Sequence, residues 1–161
     1  MKRWIWILIA LLLSGCGETE TFETVSDEPV VLTAAEPREV HFYLAEEPAM
    51  PAMESDAGKI YLCGDYDVML QTLESGDLAK TVAQTSGFSM EDLTVIQTGT
   101  GEIQKYEFVW TTNSEDESRI GRATILDDGS YHYVLSATVP SELIEEYQEI
   151  WNGIFESFQL L

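Results

Sequence analysis

The clearest periodicity along the chain lies near its C-terminus. Leu143, Ile144, Tyr147, Ile150, Trp151, Ile154, Phe155 and Phe158 recur at helical spacing, while Glu142, Glu145, Glu146, Glu149 and Glu156 take the other side. That pattern predicts an amphipathic helix laid on a sheet. Pro140 is placed at its first turn, where a missing N–H costs no helical bond. The acidic stripe reads as a solvated face. Upstream the period shortens to two. Glu102 to Thr112 predicts a strand with Tyr106, Phe108 and Trp110 on one face. Arg119 to Leu126 and Tyr131 to Val139 predict two more, joined by Asp127-Asp128-Gly129-Ser130, a tight hairpin turn that needs positive φ at Gly129. Leu93 to Gln97 predicts a shorter strand, and Asn113 to Glu117 a turn.

The N-terminal half is less regular. Val40, Phe42 and Leu44 alternate with His41 and Tyr43, as in a strand. Pro48 to Met53 reads as a loop, because Pro48 and Pro51 exclude regular pairing. Lys59 to Gly64 is a short apolar strand, and the alternation of Tyr66, Val68 and Leu70 favours strand over helix for Tyr66 to Leu73. A short helix follows, capped by Asp77 or Ser75, with Leu78 and Val82 on one face and Gly87 as its stop. The order is three strands, a helix, four strands and a long C-terminal helix. It predicts an α+β domain: an antiparallel sheet of about six to seven strands with the long C-terminal helix and a shorter helix packed on it.

The first residues follow a different logic. Met1-Lys2-Arg3 precedes an apolar run from Trp4 to Leu13, then Leu13-Ser14-Gly15-Cys16. The run is about ten residues, where a spanning helix needs roughly 20. A basic start, a short apolar run and small residues at its end make an export signal. Ending in Leu-Ser-Gly-Cys, it resembles bacterial lipoprotein signals. That resemblance implies cleavage between Gly15 and Cys16, a diacylglycerol on Cys16, and a domain on the extracytoplasmic side of the bacterial membrane. Buried acyl chain contributes about 0.8 kcal/mol per methylene, so two chains hold firmly where one is marginal. Residues 1–15 are then signal peptide and 16–38 a lipidated cysteine with an acidic flexible tether, punctuated by Pro29 and Pro37. Residues 39–161 form the globular domain.

Charge narrows the partners. Eight basic residues against 29 acidic give a formal charge of −21. Removing residues 1–15 takes Lys2 and Arg3 and leaves six against 29, or −23. The six stand singly along the chain, which excludes the phosphate neutralisation that nucleic-acid binding requires. The same charge is repelled by anionic headgroups, so the membrane is a partner only through the lipid on Cys16. It reads first as a source of solubility and second as an attraction for cations or basic partners. With Cys16 lipidated, Cys63 is the remaining thiol and has no internal disulfide partner, so an apolar core must hold the domain.

The Trp110-bearing strand, the Arg119–Thr138 hairpin and the closing helix ending Ile154-Phe155-Glu156-Ser157-Phe158 together resemble the PsbP-like fold. That fold is shared by the extrinsic photosystem II subunit, a Ran-binding nuclear-import factor and several bacterial lipoproteins. The resemblance spans most of residues 39–161. It implies αβα layers and binding of other macromolecules rather than catalysis. It carries over no functional residue.

Candidate chemistry is sparse. Cys63 with His41 or His132 would make a thiolate–imidazole pair, but Cys63 stands in an apolar run, where a thiol acts as a small core group. His132, between Tyr131 and Tyr133, reads as a strand histidine. The Asp127–Ser130 turn lacks the alternating ligands of an EF-hand, and Thr138 stands where its bidentate Glu is required. Glu115-Asp116-Glu117 and the pair Asp65 and Asp67 are acidic clusters without a ligand motif. Tyr106, Phe108, Trp110 and Trp151 read as core ahead of a ligand pocket. No phosphate loop, nucleophile elbow, CxxC or HExxH occurs. The expectation is a non-enzymatic, membrane-anchored envelope lipoprotein whose domain interacts with a protein, such as an envelope protein, or a ligand. It has no catalytic residue, cofactor or metal. The alternative is a small-molecule or cation (calcium) binding module, and the third reading an enzyme with an unrecognised site.

Overall fold

Alternation of apolar residues on both sides of three long strands builds the centre of the molecule. The computed structural model describes residues 35–45, 50–99, 101–114 and 117–161. Its strands are β1 (Val40–His41), β2 (Met53–Ser55), β3 (Gly58–Cys63), β4 (Tyr66–Glu74), β5 (Ile96–Thr98), β6 (Gln104–Asn113), β7 (Ser118–Asp127), β8 (Tyr131–Pro140) and β9 (Gln159–Leu160). Helix α1 spans Leu78–Ser86 and α2 spans Ile144–Glu156. Seven strands pair antiparallel in the order β2-β3-β4-β8-β7-β6-β5, and β1 pairs with β9 in a separate ribbon. The α+β expectation holds: one antiparallel sheet, a long C-terminal helix and a shorter one. No helix among the described residues is long and apolar enough to cross a membrane.

Period-two alternation sends β8 to both faces. Tyr133, Leu135, Ala137 and Val139 join Val68, Trp151, Ile154 and Phe155 in one cluster under α2. Val134 joins Phe108, Ala123, Ile125 and Val82 in a second cluster under α1. The helices therefore cover opposite faces, the αβα layering that the PsbP-like resemblance implies. Asp77 caps α1 by accepting from the Lys80 N–H at 3.2 Å, and Gly87 ends it. Gly129 has the positive φ (86°) that the hairpin turn needs.

Several expectations shift. The predicted strand Val40–Leu44 shrinks to two residues and leaves the main sheet, pairing Val40 with Leu160 and His41 with Gln159. The predicted loop Pro48–Met53 ends in a strand, β2, beyond Pro51. Pro140 closes β8 instead of opening the helix; a 3-10 turn (Ser141–Leu143) intervenes, and α2 begins at Ile144. The helical period continues to Phe158, yet α2 stops at Glu156, because Ser157 turns the chain so that Gln159 and Leu160 reach β1. Ser157 Oγ accepts from the Tyr43 N–H at 2.9 Å. Residues 35–38 are bonded to the domain: Ala35 O accepts from Tyr131 Oη (2.6 Å), and the Arg38 N–H donates to Tyr133 Oη (2.7 Å).

Candidate functional site

Helix α1 has nine residues, about 14 Å of helix. Seven strands at about 4.8 Å make a sheet roughly 29 Å across. One such helix cannot cover that face. With Phe88, Met90, Leu93 and Val95 after it, α1 covers β6, β7, β8 and the Leu73 end of β4; β2, β3 and the Asp67–Met69 stretch of β4 are left open. Strand register sets what is exposed there. Met53 pairs with Ile60, Ile60 with Met69 and Met69 with Ser136, one continuous row across four strands. Leu62, Asp67 and Thr138 form the next row. These rows floor a groove of about 390 Å³, walled by Thr85 of α1 and by Trp110. A smaller depression of about 150 Å³ shares Met53, Ile60 and Met69 and continues it along the β2–β3 hairpin. Met53 and Leu62 are 66 % and 59 % exposed, so apolar side chains stand in water at its mouth.

Trp110 owes its position to Gly121, its partner across the β6–β7 pair. The indole lies on the glycine so closely that a Cβ there would meet Cε2, Cζ2 and Cδ2. The ring is buried (6 %) and shows the groove one edge. It is thus both core and wall. The charge in the groove is Asp67. Its Oδ2 accepts from Arg119 Nη2 at 3.2 Å, and Arg119 also donates to the Thr138 carbonyl and hydroxyl at 3.3 Å. Lys59 pairs with Glu54 at 2.8 Å across the β2–β3 hairpin; that hydrogen bond and charge hold its ammonium above the ordinary lysine pKa.

The other candidates are dispersed. Gly15 and Cys16 lie outside the described residues, as do Glu115 and Asp116. Cys63 is buried in the α2-side cluster, whereas His132 lies on the α1 side, so the sheet separates the two. His41 is exposed on β1. Asp65 accepts from Tyr147 Oη at 3.1 Å, while its neighbour Asp67 is held by Arg119. Glu117 also pairs with Arg119. Among the described residues no three His, Cys, Asp or Glu side chains converge as a metal site would require. Trp151 is on the buried face of α2 itself, edge-on to Phe155. Tyr106 and Phe108 pack in the α1-side cluster.

Two polar networks bind elements together. His132 is 1 % exposed. Its Nδ1 lies 2.8 Å from Thr81 Oγ1 of α1; its Nε2 lies 3.4 Å from Ser75 Oγ and 3.5 Å from Asp127 Oδ2. Ser75 and Asp127 share one nitrogen, whereas a serine–histidine–aspartate relay needs them on opposite nitrogens. Thr81, on the other nitrogen, is buried (4 %) and closed to a substrate. The network fastens α1 to the sheet. In the second, Asp128 Oδ1 accepts from the Ser130 and Tyr131 N–H groups (2.9 and 2.8 Å) and Oδ2 from Tyr133 Oη (3.0 Å). Burial pushes the Asp128 pKa up, but those backbone donors, the Tyr133 hydroxyl and the Arg38 charge together hold it below the ordinary aspartate value. Burial, reinforced by Asp128, raises that of Tyr133 against the opposing Arg38 contacts. Both oxygens of Asp128 are thus spent on the hairpin turn that the sequence marks as acidic.

Sequence reading missed Met53, Leu62 and Met69 as a group. The available signal was that Ile60-Tyr61-Leu62-Cys63 is apolar at every position. A strand apolar on both sides needs cover on both, and on the second face α1 and the segment Phe88–Val95 after it pack against the β6–β8 side.

No protein-family model matches the chain, and no curated protein matches it in sequence. Among solved structures it is similar to LpqN of Mycobacterium tuberculosis, a protein involved in cell envelope biogenesis. Identity is 13 % over 78 % of this chain and 86 % of that one, with a TM-score of 0.44. It is also similar to the Ran-binding protein Mog1p of Saccharomyces cerevisiae, at 9 % identity over 68 % of this chain and 82 % of that one, with a TM-score of 0.41. Both are likenesses of fold at low identity, and neither bears on the residues of the groove.

Proposed function

We propose that this chain is an exported lipoprotein, anchored through diacylglycerol on Cys16, whose non-enzymatic domain binds a protein of the cell envelope in the groove beside α1. The observation that carries the binding reading is the row Met53, Ile60, Met69 with Leu62 beside it, apolar and open to water. Contiguous exposed apolar surface marks an interaction site. Small-molecule pockets enclose most of their ligand; this groove is open along its length, which favours a macromolecule. Anchoring rests on Leu13-Ser14-Gly15-Cys16 after a short apolar run.

A photocrosslinking residue at Leu62, compared in intact cells with one at Glu149 on the solvent side of α2, tests the groove. An adduct to one envelope protein from position 62 and not from 149 is expected. Equal adducts from both positions, or none from 62, would sink the binding reading. Labelled palmitate incorporated by the wild type and not by Cys16→Ser tests the anchor.

A further inference from the structure

The groove is apolar, but the molecule around it is acidic and four of the six cations beyond residue 15 are already paired with carboxylates. Lys59 is held by Glu54, Lys105 and Arg122 by Glu107, and Arg119 by Asp67 and Glu117. Two of the six cations beyond residue 15, Arg38 and Lys80, have no such ion pair among the described residues. The field outside the domain is therefore negative, with a formal charge of −23 once Lys2 and Arg3 are removed.

That charge sorts the groove's occupants. Residues 17–34 carry Glu18, Glu20, Glu23, Asp27 and Glu28 and no lysine or arginine, so the chain's own acidic segment is repelled. A second copy brings the same negative charge and is repelled more strongly. Nucleic acid and anionic headgroups fail for the same reason. Asp67 adds a local cue. Its side chain is 46 % exposed, Arg119 engages Oδ2, and Oδ1 has no hydrogen bond among the described residues. A carboxylate oxygen beside an apolar floor suits a cation carried on an apolar segment. The unbranched thioethers of Met53 and Met69 adapt to whatever side chain enters.

We infer that the occupant is a cationic amphipathic segment of the partner protein, its apolar side chains on Met53, Leu62 and Met69 and a lysine or arginine on Asp67. The inference rests on the binding reading above and adds the partner's chemistry.

The test uses the full chain in zwitterionic nanodiscs, with methionine methyl groups labelled for NMR. Met53 and Met69 report the groove; Met90, packed in the α1-side cluster, is the reference. The probes are an amphipathic leucine–lysine peptide, a leucine–glutamate peptide of the same pattern, and a serine–lysine peptide without apolar residues. The leucine–lysine peptide is expected to shift Met53 and Met69, leave Met90 in place, and bind at least about tenfold tighter than either other peptide. Leu62→Asp, at an exposed position, is expected to weaken it about tenfold although the variant is more acidic. Asp67→Asn should weaken it and reduce its salt dependence. Equal binding of the leucine–glutamate peptide overturns the charge assignment. Equal shifts from the serine–lysine peptide, or tighter binding to Leu62→Asp, show diffuse attraction and overturn the groove as the site of the cation. Absence of any shift overturns the inference as well. If position 62 still crosslinks one envelope protein in cells, those outcomes remove the cationic segment and leave the binding reading standing; if it does not, both fall.

Discussion

Gly121→Ala is the sharpest perturbation the structure offers, because one methyl group tests both the core and the groove wall. A Cβ at Gly121 would stand 2.7 Å from Trp110 Cδ2, and Cε2 and Cζ2 are nearer still. Non-bonded carbons settle at about 3.5–4.0 Å. The indole must therefore retreat by roughly 1 Å or more, or the β6–β7 pair must part. Neither is easy. The ring is 6 % exposed, rests at 5.7 Å between centroids from Phe108, and belongs to a strand paired over its whole length. Overpacking of this kind costs about 1–3 kcal/mol. At about 2–8 °C per kcal/mol, the melting temperature should fall by several degrees or more. Urea denaturation should show a lower midpoint with an unchanged slope, since the surface exposed on unfolding is the same. In a Trp110→Leu background the added methyl has room, so the cost of Gly121→Ala should drop by at least about 1 kcal/mol in a double-mutant cycle. A loss below about 0.5 kcal/mol, or the same loss in both backgrounds, would refute the account of ring against glycine. Where the loss appears, binding in the groove should weaken too, because the displaced ring is its wall.

Other consequences are more local. Thr81→Val keeps the volume but removes the oxygen 2.8 Å from His132 Nδ1, leaving a buried ring nitrogen unsatisfied; a loss of about 1–3 kcal/mol in thermal or urea unfolding is expected. Met53→Asp changes an exposed position, so calorimetry should place it within about 0.5 kcal/mol of wild type, with higher solubility; Leu62→Asp puts a second carboxylate directly opposite Asp67 and should cost up to about 1 kcal/mol, less at high salt. Asp128→Asn leaves one neutral acceptor oxygen and puts an NH2 donor in place of the other carboxylate oxygen, and should cost about 1 kcal/mol at neutral pH. The sign of its pH dependence follows from the lowered folded-state pKa of Asp128. The carboxylate's contribution is complete above its unfolded value, about 3.9, and is lost as pH falls through the lower folded value. Urea midpoints measured across acidic pH should therefore show wild type and Asp128→Asn converging below about pH 4; a gap that stays constant would contradict the turn network.

Much of the frame was legible in linear order. Alternation at Tyr106, Phe108 and Trp110, and along Arg119–Leu126 and Tyr131–Val139, identified β6, β7 and β8, because a strand buried on a face must repeat every two residues. Asp127-Asp128-Gly129-Ser130 identified its turn, because positive φ there favours glycine. The spacing from Leu143 to Phe155 identified α2 and its buried face. Short-range patterns report local conformation and which side chains seek cover.

They do not report what supplies the cover. Helical spacing ran on to Phe158, but Gln159 and Leu160 pair with β1, over a hundred residues away in sequence. Met53 read as the end of a loop and Glu54 and Ser55 as no element, because the pairing of β2 comes from the edge of β3 and not from its own propensity. Thr81, Ser75 and Asp127 gather around His132 only once α1 docks on β8. The groove depends most on tertiary structure. The sequence alone determined that Ile60, Leu62 and Met69 are apolar, that one short helix precedes the hairpins, and that the chain is strongly acidic. Only the fold decided that α1 covers β8 and its neighbours as far as Leu73 of β4 and leaves β2, β3 and the Asp67–Met69 stretch of β4 open, because a helix about 14 Å long cannot span a sheet about twice as wide.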